Sequence, residues 1–396
     1  MLPLTGVTIL AVEQYGAGPF GSMLCADLGA DVIKIENPEE GGELGRRVGP
    51  HYFSEKNSHF FQAFNRNKRS ITLNLKSGEG AEIFRRLAGS ADAVLNNLRG
   101  DQPAKLGLTY EHLKSVNPRI VCAHLSAYGR TGSRASWPGF DYLMQAEAGY
   151  LSVTGEPDGP PARMGLSIVD FMTGLMTVFG MTSAIIGARA SGRGTDVDVS
   201  LFDTALHNLS YLAVWYLNNK HVQGREPRSG HPSLTPSQLY RTKDGWIFIM
   251  CNKENFWAPL CEKIGRTQWI DDARFATFAA RLENRVELNR LLDDALMVRT
   301  TEDWMKVFAG SVPAAPVLDI AQALENPFVA ERDAVATFTG SPHGGDIRMV
   351  AGPVRIAGEQ LPTKAGPALG QHNEAILDQL GYSPDAIQDL RRRKIV

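Results

Sequence analysis

The stretch from Leu10 to Glu36, LAVEQYGAGPFGSMLCADLGADVIKIE, holds Gly16, Gly18 and Gly21 in the spacing G-x-G-x-x-G, and Glu36 lies twenty residues after the first glycine. Glycines so spaced let a backbone approach a pyrophosphate, and an acid at that distance can hold a ribose hydroxyl. Hydride chemistry on a nicotinamide or flavin is the first reaction this spacing suggests. The flanking residues argue against it. In a dinucleotide fingerprint the apolar strand runs straight into the first glycine. Here Glu13, Gln14 and Tyr15 intervene. Pro19 suits the first position of a helix, where a missing N–H costs nothing. The segment therefore reads as a loop followed by a helix, still open to a ligand and still favourable to an anion. Glu36 is expected to face solvent or to pair with a neighbouring base.

Among the acids, Asp170 directly precedes an apolar run. At a helix start, orphan N–H groups and the dipole favour an ionised carboxylate. A plain N-cap aspartate is the structural alternative. Asp141 and Asp203 compete with it, and Asp203, early in LFDTAL, reads as structural. The four cysteines, Cys25, Cys122, Cys251 and Cys261, form no C-x-x-C pair and read as buried free thiols, so no metal site is expected.

The elements that must position these residues alternate. VTILAV (7–12) reads as a buried strand, Pro19 to Ala30 as a helix, and DVIKIE (31–36) as a second strand. Helix 78–91, strand 92–97, helix 110–117 and strand 119–125 follow, then a long helix 168–189, strand 194–201 and helix 201–219. Such alternation implies a parallel sheet with helical crossovers. Near residue 220 the texture turns to Gly, Pro, Ser and charge, as in a linker or functional loop. A strand at 245–251 and helices near 254–264, 284–297 and 301–309 then suggest a smaller α+β domain. The expected organisation is a large α/β domain over 1–220, completed by 330–396, and a small domain over 221–329.

The chain has 396 residues, 43% hydrophobic and 21% charged, enough for a large core without staples. A formal net charge of -2 gives no global basic field for nucleic acid or an anionic membrane. Phe171 to Ala188 lacks a charge but contains three glycines, and it reads as a buried core helix rather than a membrane span. The N-terminal run shows no basic segment or small-residue cleavage site, so a cytoplasmic location is expected.

Several blocks in one order carry a resemblance. AGPFGSMLCADLGADVIKIENP, NRNKRSITLNLKSGEG, VLNNLRGDQPAKLGLTYEHLKSVNPRIV, SAYGRTG, GFDYLMQAEAG, VDFMTG, SGRGTDVDVSLFDTAL, YRTKDGWIFI and LGQHNEAIL span nearly the whole chain. Together they resemble the class III CoA-transferases, the family of formyl-CoA transferase and carnitine CoA-transferase. The resemblance implies a Rossmann-like CoA-binding domain that uses no dinucleotide, and an interlocked, ring-like homodimer. It implies no tightly bound cofactor, with coenzyme A and acyl-CoA as substrates, and small carboxylic acids as the other partners. It places Asp170 at the family's nucleophile position. A carboxylate nucleophile would form a mixed anhydride and then an aspartyl-CoA thioester.

By the same resemblance, Gly16 and Ala17 fall on the loop near the pantetheine. Asn37 follows the second strand, where relatives often carry a base. Leu73, Asn74, Leu75 and Lys76 match the segment near the nucleotide. Asn97, Leu98 and Arg99 follow the next strand, and Lys105 matches a phosphate contact. Ser126, Ala127, Tyr128 and Gly129 match the loop at the thiol end. Cations at Lys76, Arg99 and Lys105 suit the phosphates of CoA. The loop 229–240, SGHPSLTPSQLY, lacks the glycine run of formyl-CoA transferase. The sequence instead resembles the branch acting on dicarboxylates such as succinate, glutarate, mesaconate or itaconate. A second carboxylate needs a cation or a strong donor, and Arg46, Arg47 and His231 are the candidates. The rival readings are an acyl-CoA racemase or isomerase of the related branch, and an oxidoreductase using the Gly16–Gly21 loop.

Overall fold

The computed structural model describes residues 1–338, 345–361 and 363–396. The chain divides into two compact units. The first comprises Met1–Ala148, Gly165–Ser210 and Pro327–Val396; the second comprises Gly149–Met164 and Tyr211–Asn326.

In the first unit six strands form one sheet: β1 (Thr8–Val12), β2 (Asp31–Glu36), β3 (Arg69–Thr72), β4 (Ala93–Asn96), β5 (Val121–Ser126) and β6 (Thr195–Ser200). All neighbours pair in parallel, in the order β3-β2-β1-β4-β5-β6. That is the doubly wound order of dinucleotide-binding folds, whose ligand crevice lies beyond the strand ends where the order reverses. Here the reversal falls between β1 and β4. The central strands are buried on both faces, with Ile9, Leu10, Val32, Val94 and Val121 fully covered, as parallel sheets flanked by helices require.

Helix α1 (Ala17–Asp27) follows β1, and α2 (His59–Asn65) and α3 (Gly78–Ala88) flank β3. Ser58 and Ser77 cap α2 and α3 by accepting the N–H of Phe61 and Gly80. After α4 (Asp141–Glu147) comes α5 (Ile168–Ser191), which ends at Gly192 in the left-handed region. Among the described residues α5 alone is long and apolar enough to cross a membrane. It packs against α1 and β5, burying Val169, Thr173, Met181 and Ile185, while Phe179 and Ile186 remain exposed.

The second unit is built on a three-stranded antiparallel sheet of β7 (Ser237–Arg241), β8 (Trp246–Met250) and β9 (Ala314–Pro316), with β8 in the centre. Its core gathers Tyr240, Trp257, Phe275, Leu288 and Trp304. Residues 149–164, assigned from sequence to the large domain, lie in this unit instead. The single helix expected over 201–219 is two, α6 (Leu201–Asn208) and α7 (Ser210–Asn219), broken where Ser210 takes a positive φ. Strand β3 was not expected: RSIT is short, and the charged NRNKR run before it hides the strand's edge. In the tail, Ile376, Leu377, Ile387 and Leu390 join the core of the first unit.

Candidate active site

The loop between β1 and α1 lies at the reversal point and is held from two sides. Asn97, just past β4, accepts the N–H of Gln14 at 2.9 Å and donates to its carbonyl at 2.7 Å. On the other side, Tyr15 N–H donates to Glu43 Oε2 at 2.8 Å. Tyr15 is left-handed, at φ 62°, a conformation costly for a bulky residue. Next comes Gly16, the N-cap of α1. A side chain there would begin 2.7 Å from Asp170 Oδ2.

Asp170 is the third residue of α5, so it is not the N-cap; that position belongs to Ser167. Its backbone N–H donates to Asp141 Oδ2 at 2.9 Å, and Gln145 Nε2 donates to Asp141 Oδ1 at 2.5 Å. Among the described residues the Asp170 carboxylate has no recorded hydrogen-bond partner. Burial, and then the nearby Asp141 carboxylate, push its pKa up to about 7. Desolvation and a like charge thus oppose the ionised form that the helix start is expected to favour. Aromatic rings cluster next to Asp170 and Tyr15, half-buried except for the exposed Phe140. Phe171 packs against Phe20 and Phe64, Phe64 against Phe60, and Tyr15 edge-on against Phe60 and Phe140.

The glycine pattern thus has an internal explanation. Gly16 makes room for Asp170. A side chain on Gly18 would begin 2.9 Å from Asn97 Cγ, and one on Gly21 would begin 2.6 Å from the Gly174 carbonyl on α5. Glu36 is also committed. Arg46 Nε donates to its Oε2 at 2.6 Å and Arg46 Nη2 to its Oε1 at 2.7 Å, both side chains wholly buried. Burial alone would raise the pKa of Glu36, but Arg46, with Lys34 and Ser70, holds it below the ordinary carboxylate value. Neither the glycines nor Glu36 remains available for a dinucleotide, which removes the ground for the oxidoreductase reading.

A cleft of about 250 Å³ opens beyond the ends of β1 to β4, lined among others by Glu13, Gln14, Asn37, Glu40, Glu43, Leu73, Asn74, Leu75, Lys76 and Leu98. Of the fifteen positions expected to meet CoA, Asn37, Leu73–Lys76 and Leu98 come together here. Gly16 sits beside Asp170, the Ala17 carbonyl lies against Gly174 of α5, and the Asn97 amide is spent on Gln14. Lys76 lines the cleft, exposed and 4.0 Å from Glu40. Arg99 and Lys105 both meet Asp101, at 3.6 and 2.6 Å. Past β5, Ser126 Oγ accepts the Gly129 N–H, the Ala127 carbonyl accepts the Phe202 N–H, and Tyr128 donates to Glu147.

The candidate cations for a distal carboxylate separate. Arg46 is fully buried on Glu36, its guanidinium 3.8 Å from the Phe61 ring, and has no surface to offer a substrate. Arg47 is exposed on the adjoining turn, its carbonyl accepting the Tyr52 hydroxyl at 2.8 Å. His231 belongs to the second unit, where its Nδ1 accepts the Ser233 N–H at 3.1 Å. Burial lowers its pKa from the ordinary imidazole value. Among the described residues no group of three or more His, Cys, Asp or Glu is placed to hold a metal ion. Sequence reasoning missed Glu43, Lys34 and Lys68. For Lys34 the available signal was a lysine inside the strand DVIKIE, which a folded sheet tolerates only with buried partners; Lys68, in the charged NRNKR run before β3, gave no such signal.

Comparison with known proteins identifies the family. Residues 4–373 match the family model described as CoA-transferase family III. An acyl-CoA transferase of Fusarium pseudograminearum is 35% identical, covering 99% of this chain and 88% of its own. The succinate–glutarate CoA-transferase of Agrobacterium fabrum is 32% identical, covering 96% of each chain. Among solved structures, a CAIB/BAIF family protein from Brucella suis superposes with a TM-score of 0.82 at 32% identity, covering 96% of this chain and 99% of that one. The chain is an enzyme and belongs to CoA-transferase family III.

Proposed function

We propose that the enzyme moves CoA between small dicarboxylic acids through covalent intermediates on Asp170. The observation that carries this reading is a carboxylate with no hydrogen-bond partner among the described residues, set against Gly16 at the sheet's reversal point, with its pKa raised to about 7. A raised pKa makes a more basic carboxylate, and the lack of hydrogen bonds leaves its lone pairs free to attack. Ionised Asp170 attacks the thioester carbonyl of the donor, forming a mixed anhydride and expelling CoA thiolate. The thiolate attacks the aspartyl carbonyl, forming the enzyme-CoA thioester and releasing the donor acid. The acceptor carboxylate then attacks that thioester, and the released thiolate attacks the acceptor's acyl carbon, regenerating Asp170. No net redox change or hydrolysis occurs.

The cleft lined by Leu73–Lys76 is the proposed seat of CoA, and Arg47 the cation for the distal carboxylate. Support for dicarboxylates comes from relatives named as acting on succinate, glutarate and mesaconate. We further propose a homodimer, interlocked as the family resemblance implies. The exposed apolar side chains Phe179 and Ile186 of α5 and Tyr211, Val214 and Leu217 of α7 support a second copy as partner. A cytoplasmic location completes the reading.

The test is trapping. Incubation with succinyl-CoA and then hydroxylamine or borohydride should mark the peptide bearing Asp170, as read by mass spectrometry. Asp170→Ala should lose both the mark and turnover. Turnover of that variant within about tenfold of wild type would overturn covalent catalysis.

A further inference from the structure

Six charged side chains, Glu13, Lys34, Glu36, Glu43, Arg46 and Lys68, are buried together beneath the loop that faces Asp170. They form one connected network. Lys34 Nζ lies 3.1 Å from Glu43 Oε1 and donates to the Glu13 carbonyl at 3.1 Å. Lys68 Nζ donates to Glu13 Oε1 at 2.7 Å, to the Pro19 carbonyl at 3.0 Å and to Asn65 Oδ1 at 2.9 Å. Asn65 in turn donates to Glu43 Oε1 at 3.2 Å, and the Glu43 N–H donates to Glu36 Oε2 at 3.1 Å. Burying ions is unfavourable, and a well-packed apolar set could replace them at little cost to stability. Such a network is better suited to fixing a conformation than to holding the fold together.

The conformation in question is the left-handed turn at Tyr15. Glu43 uses one oxygen on Lys34 and Asn65 and points the other at the Tyr15 N–H. We infer that Glu43 is a positioning residue for the chemistry at Asp170: by holding Tyr15 at positive φ, it sets Gly16 against the carboxylate. This deepens the reading of Asp170 as nucleophile and rests on it. Glu43 also lines the cleft, so one buried side chain joins the proposed CoA seat to the catalytic loop. Its role is distinct from substrate contact, because both of its oxygens already have protein partners.

The experiment compares Glu43→Ala, Glu43→Gln and Glu43→Ala combined with Tyr15→Asn, reading kcat and the acyl-CoA KM on steady-state turnover. Displacing a catalytic group by a fraction of an ångström costs about tenfold or more. Glu43→Ala should therefore lower kcat by at least about tenfold and leave the acyl-CoA KM within about twofold. Glu43→Gln should recover part of kcat, since its amide oxygen still accepts the Tyr15 N–H while its NH2 group meets the Lys34 and Asn65 donors. Tyr15→Asn should recover part of it, because asparagine tolerates the left-handed region. Should Glu43→Ala fail to fold, Tyr15→Val reads the same turn through a residue that resists positive φ, with a loss in kcat at unchanged KM expected. Equal kcat in Glu43→Ala and wild type, no recovery from either rescue, or full activity of Tyr15→Val would overturn the proposal. Since these readouts use turnover, an intact pattern without a trapped Asp170 adduct in wild type would overturn the nucleophile reading alone.

Discussion

The backbone N–H of Asp170 donates to Asp141 Oδ2 at 2.9 Å, which fixes one carboxylate against the main chain of the other. Asp141 itself is buried and further held by Gln145. Its carboxylate lies beside the group proposed to react. Burial, and then this carboxylate, raise the Asp170 pKa to about 7. Below that value Asp170 is protonated and cannot attack; above it the carboxylate is available. The rate of adduct formation from acyl-CoA should rise with pH and level off above about 7. Asp141→Asn keeps an acceptor for the Asp170 N–H and removes the charge. The rising limb should then move to lower pH, as read in single-turnover mixing across buffers. An unmoved limb would assign the shift to burial alone.

The same shift has a consequence for stability, with a definite sign. A carboxyl whose folded pKa lies above its unfolded value binds protons more tightly when folded. Its ionisation therefore destabilises the fold as pH rises from the unfolded value of about 4 toward 7. Asp170→Asn removes that ionisation. The variant should melt higher than wild type above neutral pH, with the difference shrinking as pH falls. Melting curves at several pH values provide the check, and a lower Tm for Asp170→Asn at alkaline pH would contradict the assignment.

Gly16, at the start of α1, and Gly21, within it, should fail differently. At Gly16 a new methyl begins 2.7 Å from Asp170 Oδ2, a side-chain atom that can turn away. At Gly21 it begins 2.6 Å from the Gly174 carbonyl, which is helix backbone and cannot yield cheaply. Gly16→Ala should lose activity by at least about tenfold with a small change in Tm. Gly21→Ala should instead lose stability by roughly 1–3 kcal/mol through overpacking between α1 and α5. Paired activity and melting measurements separate the two, and the reverse pattern would reject the internal account of the motif.

These glycines also mark how far the sequence could be read. The alternation of strands and helices was legible because β1, β4 and β5 are apolar-rich runs, β2 holds Val, Ile and Ile between its charges, and helical segments separate them. The position of Asp170 before its helix was legible from resemblance. The use of the glycines was not, because G-x-G-x-x-G describes close approach without saying what approaches. Asp170 comes from residue 170 and Gly174 from the same helix, both far along the chain, so only tertiary structure reveals them as the neighbours. The split between Arg46 and Arg47 was invisible for a similar reason. Adjacent arginines have equal claims in a sequence, and a one-residue step on a tight turn sends one to Glu36 and the other to solvent.

For the cleft, the structure distinguishes cations that the sequence treats alike. Lys76 lines the cleft and is only loosely paired at 4.0 Å, whereas Lys105 already holds Asp101 at 2.6 Å. Lys76→Ala should weaken CoA-ester binding by about 1–3 kcal/mol, and Lys105→Ala by less. Titration with CoA and with dephospho-CoA would show the difference and identify which phosphate Lys76 meets. An equal effect of both variants would place the phosphates nearer Asp101, outside the cleft.

Substrate choice is expected to turn on Arg47. A distal carboxylate carried into a closed site must find a cation, because an unpaired buried charge is prohibitive. Arg47 is exposed and Arg46 is not, so the two should fail differently. Arg46→Met would leave Glu36 buried without its partner, at a cost of about 3–5 kcal/mol to the fold, and should depress activity with every acid alike. Arg47→Met should leave the melting temperature nearly unchanged and lower activity with succinate far more than with butyrate, which has the same carbon chain and one carboxylate fewer. The deciding measurement is the ratio of kcat/KM for the two acids in wild type and in each variant. An equal loss with both acids in Arg47→Met would move Arg47 to a structural or CoA-binding role, and a wild type that prefers butyrate would discard the dicarboxylate reading itself.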